Sequence, residues 1–165
     1  MKELFQTEVK RVNGYLKEIV TVLDDSGKPI THLINPLMVE LRPRDVSQIF
    51  VGALLVASPL CLTEEVWVLS EGLAQINIIL LMLCSVLAVT SFVYFNFYRF
   101  KLKGNISEFL KRIFAIYFIT TASVILMLAL VGKFPVITTP IVAFKRTILV
   151  AFPAIFGATV TDYLK

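Results

Sequence analysis

Long apolar runs fill most of the chain after residue 41, and they predict helices that cross a membrane. A helix needs about 20 predominantly apolar residues to span roughly 30 Å of hydrocarbon. Four stretches approach or reach that length with few or no charges, at residues 46–62, 76–98, 113–131 and 147–164. The pattern therefore predicts an all-α membrane domain of four transmembrane helices over residues 42–165.

The first 41 residues have the mixed polar and apolar pattern of a soluble segment. Apolar residues at spacings of three and four predict a short amphipathic helix over residues 3–19. A β-branched run, an Asp-Ser-Gly turn and a second apolar run then predict a β-hairpin over residues 18–33. We expect this helix and hairpin to form a small cytoplasmic unit, residues 1–41. No signal-peptide pattern is present, so the unit should stay on the mature protein.

Proline and aspartate residues mark the ends and breaks of the predicted spans. Pro43 should stop any upstream helix, and Asp45 is placed to cap the first span. Pro59 lies near the far end of that span and should kink it, because proline removes the hydrogen bond to the carbonyl four residues earlier. Pro153 interrupts the last span in the same way. The preceding residues 132–144 are predicted to form a loop or a short interfacial helix.

The positions of lysine and arginine predict how the spans are oriented. Seven basic residues precede the first span, none lies in the first loop, five lie in the second loop and three in the third. The positive-inside rule then places both termini in the cytoplasm and the first loop outside, although the third loop also faces out under this topology. An aromatic belt is expected where the second span ends, formed by Phe92, Tyr94, Phe95, Phe97 and Tyr98.

The composition supports a membrane protein and argues against several classes of function. Hydrophobic residues make up 57% of the chain and charged residues 17%, and the mean hydropathy is +0.80. The net charge of +4 follows from the basic loops, so nucleic-acid binding is not indicated. Cys61 and Cys84 both lie in apolar runs and are expected to act as small apolar residues. With His32 as the single histidine and no phosphate loop or nucleophile motif, neither a cofactor nor an enzyme is expected.

The candidate functional site is the acidic segment between the first two spans, residues 63–71, with Thr63, Glu64, Glu65, Trp67 and Glu71. On a helix, Glu64, Trp67 and Glu71 would share one face. In a symmetric oligomer each glutamate would form a ring of carboxylates, the arrangement by which cation channels concentrate and select ions. Carboxylate oxygens favour calcium, so Glu64 and Glu65 are the predicted metal ligands. The competing interpretation is an outer loop whose glutamates give solubility and whose tryptophan anchors the membrane interface.

Charged residues near the other span ends are expected to pair. Arg44 and Asp162 lie at the cytoplasmic end under the predicted topology, with Asp45 beside them, so a pair between them would join the first helix to the last. Lys145 and Arg146 would share the outer side with the acidic segment. These groups are either purely structural or part of an ion or proton path.

Three motifs together resemble those of a known family. They are Arg42-Pro43-Arg44-Asp45, the Thr-Glu-Glu-x-Trp pattern at residues 63–67, and the stretch from Arg146 through Pro153 to Asp162. They resemble an uncharacterised family of small integral membrane proteins of bacteria and archaea, from about residue 40 to the C-terminus. The resemblance implies a multi-pass protein of the bacterial or archaeal plasma membrane and implies no mechanism.

These patterns predict a homo-oligomeric cation channel in the lipid bilayer, with calcium as the favoured ion. Its outer mouth would be lined by the acidic segment, shaped by Pro59 and held by Trp67. One alternative is a proton-coupled secondary transporter in which Glu64 or Glu65 changes protonation while Pro59 and Pro153 break facing helices, although no internal repeat supports it. The other is a structural or accessory membrane protein without transport of its own.

Overall fold

The computed structural model describes residues 5–12, 15–23, 28–36, 40–99 and 105–164. These belong to two units, Met1–Glu40 and Leu41–Lys165. The first unit is an antiparallel β-sheet and the second is a bundle of α-helices. Membrane-crossing helices occur in the second unit.

The sheet of the first unit contains strands β1 (Phe5–Val12), β2 (Tyr15–Leu23) and β3 (Pro29–Pro36), in that order. Both neighbouring pairs are antiparallel. The pairing of β2 with β3 confirms the predicted hairpin over residues 18–33, and its Asp-Ser-Gly turn lies outside the described residues. The predicted amphipathic helix over residues 3–19 is wrong, because β1 and the first half of β2 occupy that stretch.

The helix prediction failed because a stronger local signal divides the segment. Val12 pairs with Tyr15, which leaves the dipeptide Asn13-Gly14 between the two strands. Asn-Gly between two alternating runs is the strongest short-range sequence signal for a β-hairpin. Extended residues on both sides of that dipeptide therefore pair with each other, and the spacing of three and four in the apolar residues is coincidental.

The second unit has four helices that are long and apolar enough to cross a membrane among its described residues. They are α1 (Pro43–Cys61), α3 (Gln75–Val93) with a π-helical continuation (Tyr94–Tyr98), α4 (Ile106–Leu130) and α5 (Pro140–Tyr163). A short helix, α2 (Glu64–Gly72), lies between α1 and α3. The predicted number of spans is confirmed, and the ends of the helices differ from the prediction.

The last helix is longer than predicted and is continuous. It begins at Pro140, so the end of the predicted loop over residues 132–144 is helical. Proline is favoured at the first helical position, because its missing N–H would have no partner there and its fixed φ suits the helix. Pro153 lies inside α5, and the helix continues through it to Tyr163.

The starts of α1 and α4 also differ from the prediction. Asp45 is the third residue of α1 and does not occupy the N-cap position, which belongs to Arg42. Its carboxylate Oδ2 accepts a hydrogen bond from the backbone N–H of Arg42 at 3.1 Å, so it still satisfies one of the free donors of the first turn. Helix α4 begins at Ile106, seven residues earlier than predicted, and therefore includes Arg112.

Helices α1 and α5 approach each other closely at Gly52 and Gly157. A Cβ atom built on Gly52 would lie 2.7 Å from the backbone oxygen of Gly157, and one built on Gly157 would lie 2.8 Å from the backbone oxygen of Gly52. Small residues at such a crossing let two membrane helices pack backbone to backbone. Near the same crossing, Thr161 Oγ1 donates to the backbone oxygen of Gln48 at 2.9 Å, which ties the two helices together.

We predict that Gly157→Ala lowers the free energy of unfolding by about 1–3 kcal/mol, because the added methyl group forces the two backbones apart. Alanine would otherwise stabilise a helix relative to glycine, so the sign of the effect reports the close crossing. Thermal unfolding in detergent, followed by circular dichroism, measures it. Gly72→Ala is the matched control, since a Cβ at that position meets nothing within 4 Å. Equal stability of the two variants would contradict the prediction.

Candidate functional site

A buried ionic cluster lies at the end of the bundle where α1 and α4 begin and α5 ends. Arg112 Nη1 donates to Asp162 Oδ2 at 2.6 Å, and Arg112 Nη2 donates to Asp45 Oδ2 at 3.3 Å. The side chains of all three residues are at most 1% exposed. We call these three residues the Arg112 cluster. It connects three membrane-crossing helices through one guanidinium group.

Aromatic side chains enclose the same guanidinium. The ring of Phe97 lies 4.4 Å from Arg112 Cζ, within the range of a cation–π interaction. Tyr98 is fully buried, and its ring meets that of Phe109 edge to face at 5.2 Å. Both Phe97 and Tyr98 belong to the π-helical continuation of α3, where the wider turn shifts side chains relative to an α-helix. These two residues, predicted for the interfacial belt, therefore pack around the cluster.

The chemistry of the Arg112 cluster follows from the different side chains of its members. A guanidinium stays protonated in proteins, whereas a carboxylate can accept a proton and become neutral. Charges in a membrane span are energetically expensive unless they are paired, and they often mark ion or proton paths. The cluster can therefore hold the helices together, and its carboxylates are groups on which a proton could be carried.

Asp162 is paired, but its partner differs from the predicted one. Arg44 is exposed in the first turn of α1, and the structure does not bring it to Asp162, which binds Arg112. The role of Arg112 was missed because counting basic residues assigned it to the second loop. A signal was present in the spacing: Arg112, Ile116 and Thr120 recur every four residues and are all fully buried on one face of α4.

At the other end of the bundle, the acidic segment forms helix α2. Glu64 and Glu65 are exposed in its first turn, where negative charge is favourable because of the helix dipole. Together with Val68 and Leu69 they line a shallow depression. Within the part of the chain that the structure describes, neither glutamate forms an ion pair, and no three His, Cys, Asp or Glu residues are grouped so as to hold a metal ion.

Thr63 and Trp67 connect α2 to the end of α1. Thr63 Oγ1 donates to the backbone oxygen of Pro59 at 2.7 Å, and Trp67 Nε1 donates to that of Cys61 at 3.3 Å. The Trp67 bond satisfies a carbonyl group in the last turn of α1, where such groups lack helical partners. The Thr63 bond adds a second donor to the Pro59 carbonyl, which also accepts from the backbone N–H of Leu62 at 3.2 Å. Helix α1 ends at Cys61 shortly after Pro59, and a separate helix follows, so a single kinked helix does not run through this stretch.

A second buried arginine organises this end of the bundle. Arg146, on α5, is 5% exposed, and its guanidinium donates to Ser70 Oγ at 3.2 Å, to the backbone oxygen of Lys133 at 2.8 Å and to Glu71 Oε1 at 3.3 Å. We call this set the Arg146 network. The neighbouring Lys145 donates to the backbone oxygen of Leu73 at 2.6 Å. The structure thus brings Glu71 to Arg146 and leaves Glu64 and Glu65 outside this network.

Comparison with known proteins gives one finding. A family model described as "Putative integral membrane protein (DUF2391)" matches residues 31–162, which include all four membrane-crossing helices except Tyr163, the last residue of α5. No curated protein and no solved structure matches the chain.

We predict that Arg112→Met lowers the free energy of unfolding by about 3–5 kcal/mol, because it leaves buried carboxylates without their guanidinium. Lys111→Met is the matched control: Lys111 is the adjacent residue, 62% exposed, and should change stability by at most about 0.5 kcal/mol. Thermal unfolding in detergent compares them. Adding Asp45→Asn and Asp162→Asn to Arg112→Met should restore part of the loss, since the remaining buried groups are then neutral. No difference between Arg112→Met and Lys111→Met would refute the assignment.

For the Arg146 network, we predict that Arg146→Gln speeds hydrogen exchange of the α2 backbone amides at least tenfold, because α2 loses its buried connection to α5. Glu71→Gln should have little effect, since the Glu71 side chain is 66% exposed and an exposed ion pair contributes about 1 kcal/mol or less. Hydrogen exchange followed by mass spectrometry measures the exchange rate of the α2 amides in both variants. Equal exchange of α2 in Arg146→Gln and the unmodified protein would show that the network does not hold α2.

Proposed function

Given that this chain belongs to the DUF2391 family of integral membrane proteins, we propose that it is a proton-coupled secondary transporter of cations. The observation that carries the proposal is the complete burial of Asp45 and Asp162 around Arg112 inside a membrane bundle. Ionisable groups in such positions are unusual and are often part of a transport path. The proposal concerns translocation and contains no catalytic reaction.

The coupling step would take place at the two carboxylates. Protonation of either aspartate would remove its attraction for Arg112, and the guanidinium would then shift towards the other aspartate. Because Asp45 lies in the first turn of α1 and Asp162 in the last turn of α5, such a shift would move two helix ends relative to α4. This provides the two alternative arrangements that coupled transport requires. Glu64 and Glu65, which are exposed, are less suited to this role.

The buried face of α4 offers a further polar group for such a path. Thr120 lies two turns beyond Arg112 and is fully buried. Its hydroxyl oxygen has no hydrogen-bond partner among the described residues. A buried hydroxyl without a partner is unfavourable in an apolar interior, so Thr120 is a polar group that such a path could use.

We place the Arg112 cluster at the cytoplasmic end of the bundle and both termini in the cytoplasm. The support is the distribution of basic residues, seven before the first span and five between the second and third, against none between the first and second. Under this orientation, a proton released from the cluster would enter the cytoplasm.

We predict that purified protein in liposomes moves protons in exchange for a cation, and that Asp45→Asn reduces this flux at least tenfold. A pH-sensitive dye inside the liposomes reports proton movement while calcium, sodium or potassium is supplied outside. Asp45 is the better target for this test because its contact with Arg112 is the longer one. Asp45→Glu should retain part of the flux, and Lys111→Gln should retain all of it.

Two results would reject this transporter proposal. One is a flux no greater than that of empty liposomes for every cation, which would favour a structural or accessory role. The other is unchanged coupling in Asp45→Asn protein. Circular dichroism of each variant in detergent distinguishes loss of coupling from loss of the fold.

A second candidate is the homo-oligomeric cation channel with calcium as the favoured ion. The specific observation is that Glu64 and Glu65 are adjacent, exposed and outside the Arg146 network, so they are available to line a mouth formed by several copies of the chain. Trp67 would hold this mouth through its hydrogen bond to the backbone oxygen of Cys61 at the end of α1, and Pro59 would shape it. Thr63 and Glu71 would have supporting roles.

The same liposomes separate the two candidates. For the channel we predict ohmic single-channel currents that collapse when Glu64→Gln and Glu65→Gln are combined, and that persist in Asp45→Asn. For the transporter we expect saturating flux that survives the double glutamate change and is lost in Asp45→Asn. Flux that is insensitive to both sets of variants would contradict both candidates.

A further inference from the structure

A cleft of ≈ 280 Å³ lies between α3, α4 and α5. Ser85 on α3 and Tyr117 on α4 line it, and Ala151 and Phe152 on α5 are opposite them. Each of these residues lies within about two positions of the middle of its helix, taking α3 together with its π-helical continuation. The cleft is therefore at the depth of the bilayer centre, far from either row of lipid headgroups.

The cleft opens towards the surface of the bundle. Met82 and Val86, which line it on α3, are 40% and 43% exposed. A molecule dissolved in the bilayer could thus enter it sideways between α3 and α4. Its volume is slightly below that of typical ligand sites, which are roughly 300–1,000 Å³, so it would hold only the end of a longer molecule.

The hydroxyl groups in the cleft leave one hydrogen-bond acceptor and one donor without a partner in the part of the chain that the structure describes. Ser85 Oγ donates to the backbone oxygen of Met82 at 2.8 Å and accepts from Tyr117 Oη at 3.0 Å. The phenol of Tyr117 therefore uses its proton on Ser85 and keeps its capacity to accept. One turn along α4, Thr121 also lines the cleft, and its hydroxyl has no hydrogen-bond partner among the described residues.

Only some ligand chemistries match this arrangement. Among the residues that the structure describes, no charged side chain lines the cleft, so a charged headgroup would be unpaired there. The esters and headgroups of phospholipids lie at the membrane interface, too far from the bilayer centre to reach these hydroxyls. A neutral hydroxyl group matches both the free acceptor and the free donor of the cleft. It can donate to Tyr117 Oη and accept from Thr121 Oγ1.

We propose that this cleft binds the hydroxyl end of a neutral, long-chain lipid alcohol, with the hydrocarbon chain leaving between α3 and α4 into the bilayer. The site is separate from the Arg112 cluster and from the acidic segment. It is independent of the proposed transport function, because it depends only on the hydroxyl groups of the cleft and on their depth in the bilayer.

The test uses the full-length protein in liposomes and a long-chain alkanol that carries a photoactivatable diazirine next to its hydroxyl group. The matched probe is the methyl ether of the same alkanol, which can accept a hydrogen bond but cannot donate one. After illumination, mass spectrometry identifies the labelled peptides. We expect the alcohol to label residues within 81–86, 117–121 and 148–155 about five-fold more than the ether does, the effect of one hydrogen bond.

Three variants extend the test. Tyr117→Phe should lower labelling by the alcohol about five-fold, to the level of the ether. Ala151→Leu should abolish labelling in the cleft, because the larger side chain fills it. Tyr94→Phe is the control. It removes a phenol hydroxyl from the π-helical continuation of α3, outside the cleft, and should leave labelling unchanged. Equal labelling by alcohol and ether in the unmodified protein, or labelling unaffected by both Tyr117→Phe and Ala151→Leu, would overturn the proposal.

Discussion

The helical unit depends on the requirement of Arg112 for carboxylate partners. A guanidinium cannot lose its proton, so its burial is tolerable when acceptors from other segments surround it. Asp162 and Asp45 supply them from residues 50 and 67 positions away in the chain. The cluster therefore fixes the relative positions of α1, α4 and α5 at one end. Apolar packing between membrane helices is weakly selective, because lipid tails are as apolar as the side chains, and a charged contact adds the missing specificity.

The close crossing of α1 and α5 makes this cluster possible. Gly52 and Gly157 let the two backbones approach, and the ends of both helices then stay near enough for Asp45 and Asp162 to reach one guanidinium. Arg146 performs a comparable task at the opposite end with a different set of partners, most of them uncharged. The bundle is thus fixed at both ends by buried arginines. Its middle is held by small and apolar side chains and by the hydrogen bond between Tyr117 on α4 and Ser85 on α3.

The four spans could be predicted because the transfer of a helix into hydrocarbon depends on length and composition, both of which are local properties. The N-terminal sheet was harder, since the same apolar residues fit two periodicities and the Asn-Gly dipeptide decides between them. For the site, the acidic segment could be located but the role of Glu71 could not. Its pairing with Arg146, like that of Asp162 with Arg112, joins residues distant in sequence, and charge counting alone cannot identify such partners.

The position of the cluster on three helices has a consequence for biogenesis. Helix α5 is synthesised after α1 and α4, so Arg112 is in the membrane before Asp162 arrives. Until then its long side chain can extend towards the nearby headgroups, because Arg112 is close to the start of α4. Insertion of the helices and completion of the bundle are consequently separate stages, and the second begins when α5 delivers its carboxylate.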